Sequence, residues 1–153
     1  TLNDNLKKEL ISDIKRNYLY DMDDDDNTDK EAHGYLNGTI EELESISKQD
    51  TIKLYRLVWA SSKSDIDTNN IGKHYVQRLD SLHEDLVGDL FYGIEDKGFD
   101  YMDDLYLIEV EAPTSDIDYM TTLINNVKFP FEEEITLKTD KGVKVLNISR
   151  FYN

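Results

Sequence analysis

The stretch TIKLYRLVWA, residues 51–60, sets β-branched and aromatic side chains in alternation with polar ones. A period of two buries one face only in a β-strand, so this segment commits the chain to a sheet. The segment DLYLIEVEA, residues 104–112, repeats the pattern, and GKHYV, residues 72–76, is a shorter candidate. Near the end, EEEITLKT and VKVLNISRFY flank the turn sequence DKG, which predicts a closing hairpin. Between these strands the period changes. Leu6, Leu10, Ile14 and Tyr18 stand about one helical turn apart behind Asn3 or Asp4, either of which can cap a helix. Thr39 and Glu42 have capping-box spacing ahead of Leu43 and Ile46, predicting a short second helix that also presents Ile40. Leucines at 79, 82, 86 and 90 predict a third, and TSDIDYMTTLINN a fourth begun by Thr114 or Ser115. Helices, strand, short strand, helix, strand, helix and hairpin make a compact α+β arrangement.

Length and charge bound the function. A chain of 153 residues fits one domain around one core. That domain spans 1–153, with an acidic helical part over 1–50 and a mixed α+β core over 51–153. Hydrophobic residues make up 39% of the chain and include ten tyrosines and five phenylalanines, which excludes wholesale disorder. There is no cysteine, hence no disulfide or thiolate chemistry. No apolar run reaches the length of a membrane span, and the first twenty residues do not read as a signal peptide, so a cytoplasmic protein is expected. The net charge of −16 is uneven. Residues 1–50 carry 14 acids and 6 bases, net −8, and residues 94–134 carry 12 and 2, net −10. Residues 51–93 are close to neutral, with 6 acids and 5 bases. Such a field disfavours direct binding to nucleic acid or to anionic membranes, and it favours a basic protein partner or protein substrate.

Three places could carry chemistry. Arg56 alternates with Leu54 and Val58 and so points where those apolar residues go, unless the buried face is the other one, with Tyr55, Leu57 and Trp59. A guanidinium there needs an anion, either a structural carboxylate or a ligand phosphate. In GKHYV, Gly72 permits close backbone approach, while His74 and Tyr75 offer a titratable ring and a hydroxyl. In FEEEITL, Glu132 and Glu134 share one strand face and Glu133 takes the other. A fourth place, DMDDDDNTDKEA, puts Asp21, Asp23, Asp25, Asn27 and Asp29 at alternate positions as in an EF-hand loop. Its sixth position is Asp26 rather than glycine and its twelfth is Ala32 rather than glutamate, so a solvated acidic loop is expected there, with no metal site.

Taken in order, LYRLVW, GKHYV and PFEEEITLK resemble the core of the ADP-ribosyltransferase superfamily, including small versions carried by bacteriophages. The resemblance spans roughly residues 52–150. It implies a split, antiparallel-rich sheet with flanking helices and a cleft for NAD. It further implies that Arg56 binds an NAD phosphate, that His74 and Tyr75 form the second cofactor-binding motif, and that Glu134 steadies the charge that develops as nicotinamide leaves. Glu132 would position or deprotonate the acceptor. Two departures stand out. KHYV has none of the Ser-Thr-Ser residues usual in the second motif, and Leu57 occupies a position often held by glycine. Two functional expectations follow: a phage-encoded enzyme that modifies a host protein with NAD, or a non-catalytic acidic protein that imitates nucleic acid and blocks a basic host or defence protein.

Overall fold

A computed structural model describes residues 2–19, 26–79, 103–128 and 133–152. The helix predicted from the leucines at 79, 82, 86 and 90 lies, Leu79 apart, outside the described residues, as do Glu132 and Asp21, Asp23 and Asp25.

Among the described residues, three α-helices pack against one antiparallel five-stranded sheet. Helix α1 (Asp4–Tyr18) starts where Asn3 accepts the Leu6 N–H at 2.8 Å, and it buries Leu10, Ile11 and Ile14. Helix α2 (Asp26–Ser47) is much longer than the capping-box signal predicts. Thr39 is not a cap. Its hydroxyl donates to the Tyr35 carbonyl at 3.0 Å from mid-helix. Thr28, Ala32, Leu36, Leu43 and Ile46 are all buried, so one stripe at helical spacing continues past the exposed Gly34 and Gly38. Burial of that stripe outweighs the roughly 1 kcal/mol helix penalty of each glycine. Asp26 to Ala32, the second half of the EF-hand-like stretch, is therefore helix and not the solvated acidic loop expected there.

Strands β1 (Thr51–Trp59), β2 (His74–Val76), β3 (Leu105–Pro113), β4 (Glu134–Thr136) and β5 (Lys144–Arg150) stand in the order β4-β2-β1-β3-β5. The predicted hairpin of the last two does not form: β4 and β5 lie at opposite edges. The reason is visible at β4. One of its sides pairs with β2, and the other is taken by residues 116–118, from before the preceding helix. Asp118 N–H donates to the Thr136 carbonyl, Lys138 N–H donates to the Asp116 carbonyl, and Ile117 bridges Leu137. No edge is left for β5, which extends the long strand β3 instead. Helix α3 (Tyr119–Lys128) begins later than predicted, because Asp118 caps it by accepting from the N–H and hydroxyl of Thr121 at 3.1 and 2.9 Å.

The main core lies on one face of the sheet. Leu10, Ile14, Leu36, Leu43, Leu54, Tyr75, Ile108, Val110, Leu123, Val127 and Ile135 meet there. A smaller cluster covers the other face, with Leu57, Val76 and Leu105 ringed by Tyr55, Trp59, Leu107, Phe151 and Tyr152. No helix among the described residues is long and apolar enough to cross a membrane.

Candidate functional site

The three residues of β2 and the three of β4 pair as His74↔Thr136, Tyr75↔Ile135 and Val76↔Glu134. Opposed residues of an antiparallel pair share a face, so His74, Val76, Glu134 and Thr136 all project to one side. Val76 is also opposite Tyr55 of β1, which makes this the side of Leu57 and Trp59. The imidazole and the carboxylate meet there. His74 Nδ1 lies 2.7 Å from Glu134 Oε1.

A carboxylate can only accept, so Nδ1 carries the hydrogen and Nε2 is left as the outward nitrogen. The Thr136 hydroxyl donates to Glu134 Oε1 at 3.3 Å and is itself 3.3 Å from His74 Nδ1. Asn125 Nδ2 donates to that hydroxyl at 3.3 Å. The two partners differ in exposure, with the His74 side chain 62% accessible and that of Glu134 17%. The carboxylate is thus set into the sheet, and the ring lies over it at the solvent boundary.

Helix α3 holds this corner from the edge. Asn126 Nδ2 donates to the Glu134 carbonyl at 2.9 Å, and the Thr122 hydroxyl accepts from the Thr136 N–H at 3.0 Å. These side chains do for the outer side of β4 what another strand would do. Tyr18 and Tyr35 fix α3 in turn: their hydroxyls lie 2.7 Å apart, and that of Tyr18 donates to the Asn126 carbonyl at 2.6 Å. Glu133, just before β4, has φ 44°, a left-handed conformation unusual for glutamate. Its carboxylate lies 3.7 Å from Arg78 Nε.

Arg56 and Tyr75 do not join the pair. Both point to the main-core face, the opposite one. Burial pushes the Tyr75 phenol up to about 12, with Arg56 acting against the rise and Asp140 adding to it. Its hydroxyl donates to the Gly72 carbonyl at 2.8 Å. The Arg56 guanidinium lies against Gly72 so closely that a Cβ at that position would stand 2.2 Å from Nη1. Gly72 also has φ +102°, so a side chain there is strained by the backbone and would in addition push the guanidinium of Arg56 out of place. Arg56 Nη1 makes a long hydrogen bond to the His74 carbonyl, at 3.4 Å, and Nε is buried without a partner. Close backbone approach at Gly72 is therefore satisfied from within the protein, by Arg56. Of the five residues singled out from the sequence, the structure brings together His74 and Glu134, turns Arg56 and Tyr75 to the other face, and leaves Glu132 outside the described residues.

Thr136, Asn125 and Asn126 escaped the sequence reading. Thr136 stands two residues after Glu134 and shares its strand face by simple alternation, so it was findable. The asparagines were not, because a polar residue at a buried helix position carries no periodic signal. Compared with protein-family models, with curated proteins and with solved structures, the chain matches none.

Proposed function

We propose that this chain is an ADP-ribosyltransferase-like protein, phage-encoded, that uses NAD to modify a host protein in the host cytoplasm, with Glu134 as its catalytic carboxylate. The observation that carries the reading is the 2.7 Å contact between His74 and Glu134 across β2 and β4, on a face that also bears Tyr55 and Trp59. The sheet order supports it as well. β2 joins β1 at the single pair Tyr55↔Val76, so the β4-β2 part is nearly split from the rest.

NAD, when bound, supplies a ribose whose bond to nicotinamide can be exchanged for a bond to an acceptor. The residues present fit the ribose and nicotinamide end of such a molecule: a partly buried carboxylate to hold a hydroxyl, an oriented imidazole, and aromatic surface nearby. They do not give Arg56 the phosphate, since its guanidinium is on the other face. Glu134 stands in a low-dielectric corner where a fixed negative charge is most effective against developing positive charge. His74 Nε2, turned outward with Nδ1 committed to Glu134, can accept the proton that the acceptor group loses. Glu132, to which the resemblance gives the acceptor, lies outside the described residues, and β4 begins only at Glu134, after Glu133 at φ 44°.

The test is transfer from labelled NAD to proteins of a host lysate. The unmodified chain is expected to label a protein band. Glu134→Gln should lower the rate at least a hundredfold, about 3 kcal/mol, while Glu133→Gln stays within about threefold, as its carboxylate lies 3.7 Å from the exposed Arg78 and does not join the His74–Glu134 pair. Equal losses at both positions, or no labelling at all, would favour the acidic binding protein, for which neighbouring glutamates are interchangeable.

A further inference from the structure

The His74 ring is too exposed for packing alone to orient it, so its aim at Glu134 depends on its bonds at Nδ1 and on the backbone that bears it. That backbone is short of partners on one flank. β2 has three residues and pairs in the ladder with β1 only at Val76, beyond His74 in the chain, with one long side-chain bond from Arg56 of β1 to the His74 carbonyl beside it. Before His74, the chain is held by side chains instead. Asp140 Oδ2 accepts the Gly72 N–H at 3.0 Å, the Tyr75 hydroxyl donates to the Gly72 carbonyl at 2.8 Å, and Arg56 packs against the glycine. The Lys73 carbonyl accepts the Leu137 N–H at 2.8 Å. Asp140 itself is fixed by the turn between β4 and β5, where Val143 N–H donates to its carbonyl at 3.2 Å.

We propose that Asp140 is a positioning residue for the His74–Glu134 pair: from the β4–β5 turn it clamps Gly72, and through that backbone it sets where the His74 ring meets the carboxylate. The proposal rests on the transferase reading for its catalytic consequence, but the clamp has a physical signature of its own. Asp140 bonds neither the imidazole nor Glu134; its contact is with the Gly72 N–H. It couples the piece of chain that follows β4 to the piece that precedes β2, so the two strands carrying the pair are registered at both ends: by their own ladder and by this carboxylate.

The experiment is nitrogen-15 NMR of the full chain, comparing Asp140→Ala with Asp140→Asn. Asparagine still offers a side-chain carbonyl to the Gly72 N–H, so it should behave like the unmodified protein. In Asp140→Ala the Gly72 amide should exchange at least tenfold faster, and the His74 ring signals should move from the Nδ1–H pattern toward a mixture of tautomers. In the same samples kcat for ADP-ribose transfer should fall at least tenfold with KM for NAD within about twofold, and Asp140→Asn should restore it. An unchanged ring pattern and unchanged Gly72 exchange in Asp140→Ala would overturn the proposal. Should that variant not fold, Tyr75→Phe removes the other Gly72 bond and must shift the ring signals in the same direction; no shift there overturns the proposal equally. If the ring signals respond as expected but the unmodified protein transfers nothing from NAD, the clamp stands and the transferase reading falls.

Discussion

β1 and β3 register over an unbroken run from Thr51↔Pro113 to Trp59↔Leu105, and β5 extends that ladder with one bulge at Glu109/Val110, whereas β2 meets β1 at a single pair and β4 has only three residues to offer. The long half is held by backbone hydrogen bonds and by buried Leu54, Ile108 and Val110. The short half has only a three-residue ladder and a few backbone bonds to residues 116–118, and individual side chains supplement them: Thr122 and Asn126 along the edge of β4, Asp118 at the start of α3, Asp140 and Tyr75 at Gly72. The candidate chemistry sits entirely in the short half. A regular ladder places side chains at fixed intervals of about 3.3 Å per residue and little else. Polar contacts made one at a time can set an imidazole against a carboxylate, because each has its own direction and length.

If this contrast is right, single changes in the short half should cost more than their size suggests. The largest effect is expected at Gly72. An alanine there meets Arg56 Nη1 at 2.2 Å and must also hold φ +102°, so Gly72→Ala should destabilise the fold by about 3 kcal/mol, measured by urea unfolding. A cost below about 1 kcal/mol would mean the Arg56–Gly72 contact is loose. Next comes Thr122→Val, which keeps shape but leaves the Thr136 N–H without its acceptor. Its cost should be about 2 kcal/mol, within the range for an orphaned buried donor.

Alkaline pH sharpens the comparison from another side. Burial raises Tyr75, so the native state keeps a proton that the unfolded chain gives up above its ordinary value of 10.0. The stabilisation is therefore complete below pH 10 and lost as pH rises from there toward 12, by up to about 1.4 kcal/mol per unit. Tyr75→Phe should flatten that slope in part; burial also raises Tyr18, which continues to titrate. The smallest effect is expected at Arg78, whose exposed pairing with Glu133 should be worth under about 0.5 kcal/mol when removed by Arg78→Ala.

The same contrast explains what the sequence made legible. Strands β1 and β3 and helix α1 are readable because their periods are local and long. Helix α2 is underestimated because the capping-box spacing at Thr39 and Glu42 reads as its start, although Ala32 and Leu36 carry the same buried stripe as Leu43 and Ile46 well before it. The hairpin expected around DKG fails because turn chemistry is local, whereas occupancy of a strand edge is decided by chain distant in sequence, here by Asp116 to Asp118. At the site, His74 and Glu134 are legible as residue types, but their contact is not: they are 60 positions apart and meet through two three-residue strands. Arg56 faces the main core, as its alternation with Leu54 and Val58 suggests, but it meets backbone there and not the expected anion. What it meets there, the backbone of Gly72, has no sequence pattern.

The most direct measurement is the initial rate of ADP-ribose transfer per folded molecule, taken for Glu134→Gln in the short half and for Ile108→Val in the long half, with unfolding followed on the same samples. Trimming a fully buried isoleucine by one methyl group should cost about 1 kcal/mol of stability and leave the rate within twofold. Glu134→Gln should leave stability within about 1 kcal/mol and lower the rate at least a hundredfold. Rates that fall in proportion to stability at both positions, or a Glu134→Gln protein as active as the unmodified chain, would contradict the placement of the chemistry at the His74–Glu134 pair.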